Sequence, residues 1–267
     1  MQRLTISFIG GGNMAEALLS GLIRAGHSAR RLYVSDVNAA RRDTLEKSFG
    51  VRTSSDNAGI CDKADIIVLA VKPQQMQQAL TDLGGHIRPH ATVISIAAGV
   101  STDTLRGYLG RDDISLVRVM PNTPALVGAG ISALFSEADD IHRERAEYVL
   151  AACGEVVWVD DEQQLHAVTA VSGSGPAYFF LLAEVMQAAA VSLGLSEPLA
   201  QHLAAQTAAG AGRMLVESGR QAAELRHQVT SPGGTTQAAL DVMYEKGFPD
   251  AVRQGIAAAH KRSIQLS

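Results

Sequence analysis

Hydrophobic positions in the first 160 residues fall into short β-branched runs separated by amphipathic stretches. The runs at 4–9, 32–35, 66–71, 92–97, 115–119, 131–135 and 156–159 predict strands. Apolar residues at three- and four-residue spacing predict helices at 13–25, 38–49, 74–83 and 140–152. Strand–helix alternation at this interval predicts an α/β fold built on a doubly wound, largely parallel sheet. After Asp160 the pattern changes. Strand signals cease, and Ala/Leu-rich helical stretches follow at 163–171, 176–193, 198–217, 235–245 and 251–264. The chain therefore divides into an N-terminal domain at 1–160 and an all-helical domain at 161–267. No Gly-, Ser- or Pro-rich linker separates them, which predicts firm packing. The segments around 183–193 and 199–215 are apolar on more than one face, as helices covered on all sides are. A domain this small buries such helices by recruiting a partner subunit; a compact monomeric bundle is the alternative.

Composition narrows the classes. The chain is 46% hydrophobic and 19% charged, with a net charge of −4, and it has no basic run. These values exclude disorder and give no footprint for nucleic acid. Cys61 and Cys153 are too few and too far apart for a disulfide scaffold, and the eight histidines are scattered, so no metal site is expected. The first apolar run is too short for a secretion signal and no later stretch reads as a membrane span. The expected compartment is the cytoplasm.

The first strand runs through Ile9 into Gly10-Gly11-Gly12-Asn13-Met14-Ala15, which opens a helix. This is the G-x-G-x-x-(G/A) pattern of a dinucleotide site. Gly10 makes the turn, Gly12 lets the backbone approach a pyrophosphate, and Ala15 allows close helix–strand packing. The second strand ends in Ser35-Asp36-Val37-Asn38. There Asp36 suits a ribose 2′-hydroxyl and hence NAD, whereas Ser35 with Arg41 and Arg42 suits the 2′-phosphate of NADP, or the arginines form a solvated face. Ala70-Val71-Lys72-Pro73 ends another strand, with Pro73 fitted to a first helical turn and Lys72 either near the cofactor or simply exposed. Small residues at Ser95-Ile96-Ala97-Ala98-Gly99 suit close approach of a flat ring. In the loop Met120-Pro121-Asn122-Thr123-Pro124, Asn122 and Thr123 either donate to a carboxamide or cap the turn.

A hydride reaction also needs a substrate site and a proton. The chain has no lysine between Lys72 and Lys246 and no asparagine after Asn122, so the helix opening Gly173-Ser174-Gly175-Pro176-Ala177 lacks companions for carbonyl chemistry of the β-hydroxyacid type. An imine nitrogen is protonated readily and makes no such demand. The segment Val229-Thr230-Ser231-Pro232-Gly233-Gly234-Thr235-Thr236 reads as an anion cradle, with Ser231 as helix N-cap, Pro232 in the first turn, and glycines leaving N–H groups open for a carboxylate.

In the stretches 10–15, 70–74, 95–99, 118–124, 167–178 and 225–236, in that order, the chain resembles pyrroline-5-carboxylate reductase over nearly its whole length. The resemblance implies an N-terminal Rossmann domain and an all-α C-terminal dimerisation domain, a homodimer that further assembles into a decamer, and reduction of L-1-pyrroline-5-carboxylate to L-proline, the last step of proline biosynthesis. It implies NADPH as cofactor, with NADH as an alternative. Cofactor contacts would come from Ile9, Gly10, Gly11, Gly12, Asn13, Met14, Ser35, Asn57, Ala70, Val71, Lys72, Pro73, Ala97 and Ala98. Substrate contacts would come from Ser231, Gly234, Thr235 and Thr236, with the Thr236 hydroxyl near the ring nitrogen as the catalytic group. His166 stands where an acidic residue is expected, His227-Gln228 where an Asp and a polar residue are, and Asp36 sits uneasily with NADPH. A non-catalytic NADP(H) sensor and another Rossmann reductase, of β-hydroxyacids or of a deazaflavin, are the competing readings.

Overall fold

The structure, a computed structural model, describes residues 1–81 and 83–267. Eight strands form one sheet: β1 (Ile6–Ile9), β2 (Leu32–Ser35), β3 (Arg52–Ser54), β4 (Ile66–Leu69), β5 (Thr92–Ser95), β6 (Ser115–Met120), β7 (Gly130–Phe135) and β8 (Gly154–Trp158). Helices α1 (Asn13–Arg24), α2 (Ala39–Phe49), α3 (Asn57–Cys61), α4 (Pro73–Leu80), α5 (Thr102–Leu109) and α6 (Asp140–Leu150) lie between strands. After the sheet come α7 (Gln164–Val168), a π-helical turn (Thr169–Gly173), α8 (Gly175–Ser192), α9 (Glu197–Glu217), α10 (Ala222–Gln228), α11 (Thr235–Glu245) and α12 (Phe248–Gln265).

Strand order is β3-β2-β1-β4-β5-β6-β7-β8. From β3 to β6 every pairing is parallel, and the order reverses between β1 and β4. β1 and β4 are buried at every position, as strands covered by helices on both faces must be. Fully covering Phe8 or Leu69 contributes about 1.5–3 kcal/mol each. Even the polar member of β1 is satisfied: Ser7 Oγ donates to the Ile60 carbonyl at 2.7 Å.

The last two strands depart from the parallel plan. β7 runs antiparallel to β6, and β8 is parallel to β7. Only a short 3₁₀ turn, Thr123–Val127, joins β6 to β7. A parallel crossover needs a dozen or more residues, so the chain turns back alongside itself. The predicted helix 74–83 appears as Pro73–Leu80; its residue 82 lies outside the described residues.

By internal packing the chain forms two units, Met1–Gly173 with Ala259–Ser267, and Ser174–Ala258. The sequence placed the division at 160/161. In the first unit α7 carries the chain past the sheet, and the C-terminal end of α12 comes back to it. His166 Nδ1 lies 3.0 Å from Ser263 Oγ, both buried, and the His166 and His260 rings meet edge-on at 6.4 Å. Burial first, then the Arg118 guanidinium and the neighbouring His260 ring, hold the His166 pKa below its usual 6.5, against the opposite pull of Glu162. His27 and His142 are lowered too, chiefly by burial. Each is neutral when folded and gains a proton on unfolding below its ordinary pKa. Stability is therefore full above pH 6.5 and falls as the pH drops below that value, flattening beneath the folded pKa. Thermal midpoints between about pH 7 and pH 5 should decline, and less steeply in a His166→Gln variant. An unchanged slope in that variant would remove His166 from the effect.

The second unit is bare by itself. Ala200 and Ala204 are its buried hydrophobic residues, while Phe179, Phe180, Leu193 and Val216 are 62%, 67%, 84% and 79% exposed. Apolar surface of this extent marks an interaction face. The run Gln164–Ser192 also has the length and a mean hydropathy, 1.2, compatible with crossing a membrane. By sequence no stretch reads as a span, since 163–171 and 176–193 are separate helices there; the π-helical turn at Thr169–Gly173 joins them into one run.

Candidate active site

Strand order collects the expected cofactor residues. Ile9, Ser35, Ala70 and Ala97 stand at or just beyond the carboxyl ends of β1, β2, β4 and β5, around the reversal where ligands of such sheets gather. Backbone bonds fix these ends together: Gly10 N–H donates to the Ser35 carbonyl at 2.8 Å, Ala70 N–H to Ile9 at 2.8 Å, and Ile96 N–H to Leu69 at 3.2 Å.

The glycine loop has two kinds of position. Gly10 has φ +99, and a Cβ there would sit 2.8 Å from the Ala70 carbonyl oxygen. Only glycine makes that turn. Around a Cβ at Gly12 there is nothing within 4 Å among the described residues, although its backbone, φ −68 and ψ −177, suits any residue. Gly12 is the N-cap of α1 and supplies no side-chain cap. The open space beside Gly12 and the uncapped start of α1 suit a diphosphate at this helix N-terminus.

Ser35 is 1% exposed; its Oγ donates to Asn57 Oδ1 at 2.5 Å, and Asn57 Nδ2 donates to the Ala79 carbonyl at 3.3 Å. These two expected cofactor residues are thereby brought together. Lys72 is exposed at the N-cap of α4, with Pro73 next, as the proline's fixed φ favours. Asn122 staples its own loop, accepting from Ile131 N–H at 2.9 Å. The sequence missed one feature at this end. Arg41 lies across the glycine loop, where its Nε donates to the Gly11 carbonyl and its Nη2 pairs with Glu16.

In the second unit the segment 229–236 forms a turn and a helix start. Gly234 N–H donates to the Ser231 carbonyl at 3.0 Å, with Pro232 and Gly233 (φ +69) between them, the residues of a type II turn. This corrects the expected capping. The N-cap of α11 is Gly234, not Ser231, and Pro232 belongs to the turn, not to the helix, because the tight Pro-Gly turn delays the first helical residue to Thr235. The consequence for chemistry is favourable. Among the described residues no side chain caps α11, so its leading N–H groups near Thr235 and Thr236 stay available to an anion. Thr236 is half-buried, and Ser231 and Thr235 are exposed.

Comparison with known proteins agrees with both halves. Residues 162–266 match the family model described as pyrroline-5-carboxylate reductase dimerisation, and residues 5–99 match one described as NADP oxidoreductase, coenzyme F420-dependent. The chain is 43% identical to pyrroline-5-carboxylate reductase of Haemophilus influenzae, covering 100% of this chain and 98% of that one. It is 44% identical to the enzyme of that name from Pseudomonas aeruginosa, with 98% and 96% covered. Among solved structures, a pyrroline-5-carboxylate reductase from Coxiella burnetii superposes with a TM-score of 0.93 at 39% identity, over 99% of this chain and 98% of that one. A pyrroline carboxylate reductase from Plasmodium falciparum, solved with NADP bound, gives 0.88 at 28% identity, over 100% and 99%. With an open dinucleotide loop, an uncapped helix start after a Pro-Gly turn, and this likeness from end to end, the chain belongs to the pyrroline-5-carboxylate reductase family.

Proposed function

We infer that this protein reduces the C=N bond of L-1-pyrroline-5-carboxylate to give L-proline, closing proline biosynthesis, with NADPH as the hydride source and NADH as an alternative. The observation that carries the reading is identity above 40% along the whole chain to reductases of that name. In this reading residues 1–160 hold the cofactor and 161–267 hold the substrate and the partner subunit. Gly10 to Met14 take the diphosphate on the open N-terminus of α1. Ser35 and Asn57 border the adenosine side, while Ala70 to Pro73, Ala97 and Ala98 border the nicotinamide. Bound there, the cofactor supplies hydride from its ring to the imine carbon.

The chain's own residues bind, orient and hold a proton. Ser231, Gly234 and Thr235 receive the substrate carboxylate on the uncapped start of α11. The Thr236 hydroxyl faces the ring nitrogen, which gains one proton as the carbon gains hydride; the C=N double bond becomes a single bond and a secondary amine forms. The half-burial of Thr236 supports this role. The apolar run from α7 through α8 is covered by a second copy of the chain, and dimers assemble further into decamers in the cytoplasm.

Loss of NADPH absorbance on adding pyrroline-5-carboxylate tests the activity. Cofactor binding without consumption would instead indicate a sensor. Thr236→Ala should lower kcat/KM by about 1–3 kcal/mol in transition-state stabilisation, the scale of one buried hydrogen bond. Unaltered kcat/KM would remove Thr236 from the proton's path.

A further inference from the structure

A carboxylate at the end of the second strand ordinarily selects NADH, since it accepts from the ribose hydroxyls and repels a 2′-phosphate. In this protein that carboxylate has other partners. Asp36 Oδ2 accepts from Gly11 N–H at 2.9 Å, and Oδ1 accepts from Asn38 N–H at 2.8 Å. Its carbonyl accepts from Arg42 Nη1 at 2.6 Å. A Cβ on Gly11 would come within 3.3 Å of Oδ2, so the loop lies directly against the carboxylate. Two peptide donors and a nearby guanidinium offset the charge that would repel a phosphate.

Arg41 is arranged differently. Nε donates to the Gly11 carbonyl, and Nη2 donates to the Gly12 carbonyl at 3.4 Å and to Glu16. Among the described residues Nη1 donates to nothing. The side chain is a quarter exposed, 24%, so one edge of the fork reaches solvent beside the end of β2, where Val37 is 92% exposed. A guanidinium edge with free N–H groups suits an added phosphate and offers little to a bare ribose.

We propose that Asp36 is a positioning residue that fixes the glycine loop, and that Arg41, tethered by Glu16, sets the preference for NADPH over NADH. Glu16 holds the fork across the loop, and it competes with the 2′-phosphate for the same charge. The proposal rests on the cofactor assignment made above.

Equilibrium binding of NADPH, NADH and 2′-phospho-ADP-ribose, followed by nicotinamide fluorescence and calorimetry, tests it on the full-length protein. Arg41→Ala should weaken NADPH and 2′-phospho-ADP-ribose by about tenfold or more and NADH by less than about threefold, and should flatten the salt dependence of NADPH binding. Glu16→Gln should raise the NADPH preference by about two- to fivefold. Asp36→Asn should weaken both cofactors together, keeping their ratio within about twofold, because it removes a loop contact that both use.

An Asp36→Asn protein that gains NADPH affinity alone would overturn the proposal and make Asp36 the selector. Equal loss of both cofactors in Arg41→Ala would also overturn it, leaving Arg41 a loop brace. If Arg41→Ala fails to fold, Arg41→Lys, which keeps the charge but loses the fork, should lose part of the preference, and an unchanged ratio there counts against the proposal. A wild-type protein that binds neither cofactor refutes the functional reading itself, a separate outcome.

Discussion

Gly12→Val should leave the fold intact and abolish most cofactor binding. A valine at this position meets no atom of the described residues within 4 Å of its Cβ, and the local backbone is extended, where β-branched residues are comfortable. Its methyl groups would occupy the space in front of the α1 N-terminus, where a diphosphate would lie. The dissociation constant for NADPH should rise by about a hundredfold or more, while the thermal midpoint of the free protein moves by no more than about 2 °C. Two residues earlier the same kind of change should act on the fold itself. At Gly10 even alanine puts a methyl 2.8 Å from the Ala70 carbonyl oxygen and forces φ +99 on an L-residue. Strain and overpacking together should cost about 2–4 kcal/mol of stability, or roughly 5–12 °C in melting temperature. Calorimetry on both variants, paired with fluorescence titration, separates the roles. If Gly12→Val binds NADPH as wild type does, the diphosphate does not sit on this loop.

The second large effect concerns the helical unit. Phe180→Asp on α8 and Val216→Asp on α9 place a carboxylate on residues 67% and 79% exposed in the single chain. If these faces are covered by another subunit, each change buries an unpaired charge, and symmetry inserts it twice. The dimer dissociation constant should rise at least about a hundredfold, visible by sedimentation. Melting should also become dependent on protein concentration, because a unit with two buried alanines has little core of its own. Both variants sedimenting as wild type would mean that these faces meet solvent.

Most of the sheet was legible because strands buried on both faces read as short runs dominated by β-branched and apolar residues, wholly so in β4 and with buried Ser7, Thr92 and Ser95 set among them in β1 and β5. β3 was not. Arg52-Thr53-Ser54 is a three-residue edge strand with no apolar member, held by pairing with β2. α5 escaped notice as well. Its eight residues do put Thr102, Leu105 and Leu109 on one buried face, and Ser101 caps it by accepting from Thr104 N–H at 3.1 Å, but two turns interrupted by Gly107 make a short signal. The candidate site shows the same division. The glycine spacing predicted a tight turn after β1, and the backbone has it, with Gly10 at φ +99. At Asp36 the sequence leaves a ribose contact and an arginine-lined phosphate site both open; the bond from Gly11 N–H, 25 residues upstream, is a contact that no spacing reveals. At Ser231 the capping residue was judged by type, and the Pro232-Gly233 turn moved the helix start.

The final residues close a circuit in the chain. Ser263 meets His166, and a Cβ at Gly99 would touch the Leu266 carbonyl at 2.8 Å, so the nucleotide-binding body includes the tail of α12. During synthesis that body emerges first, yet it lacks its last pieces until the ribosome has released everything between. Products truncated before Ala259 should therefore expose an unfinished surface beside Gly99.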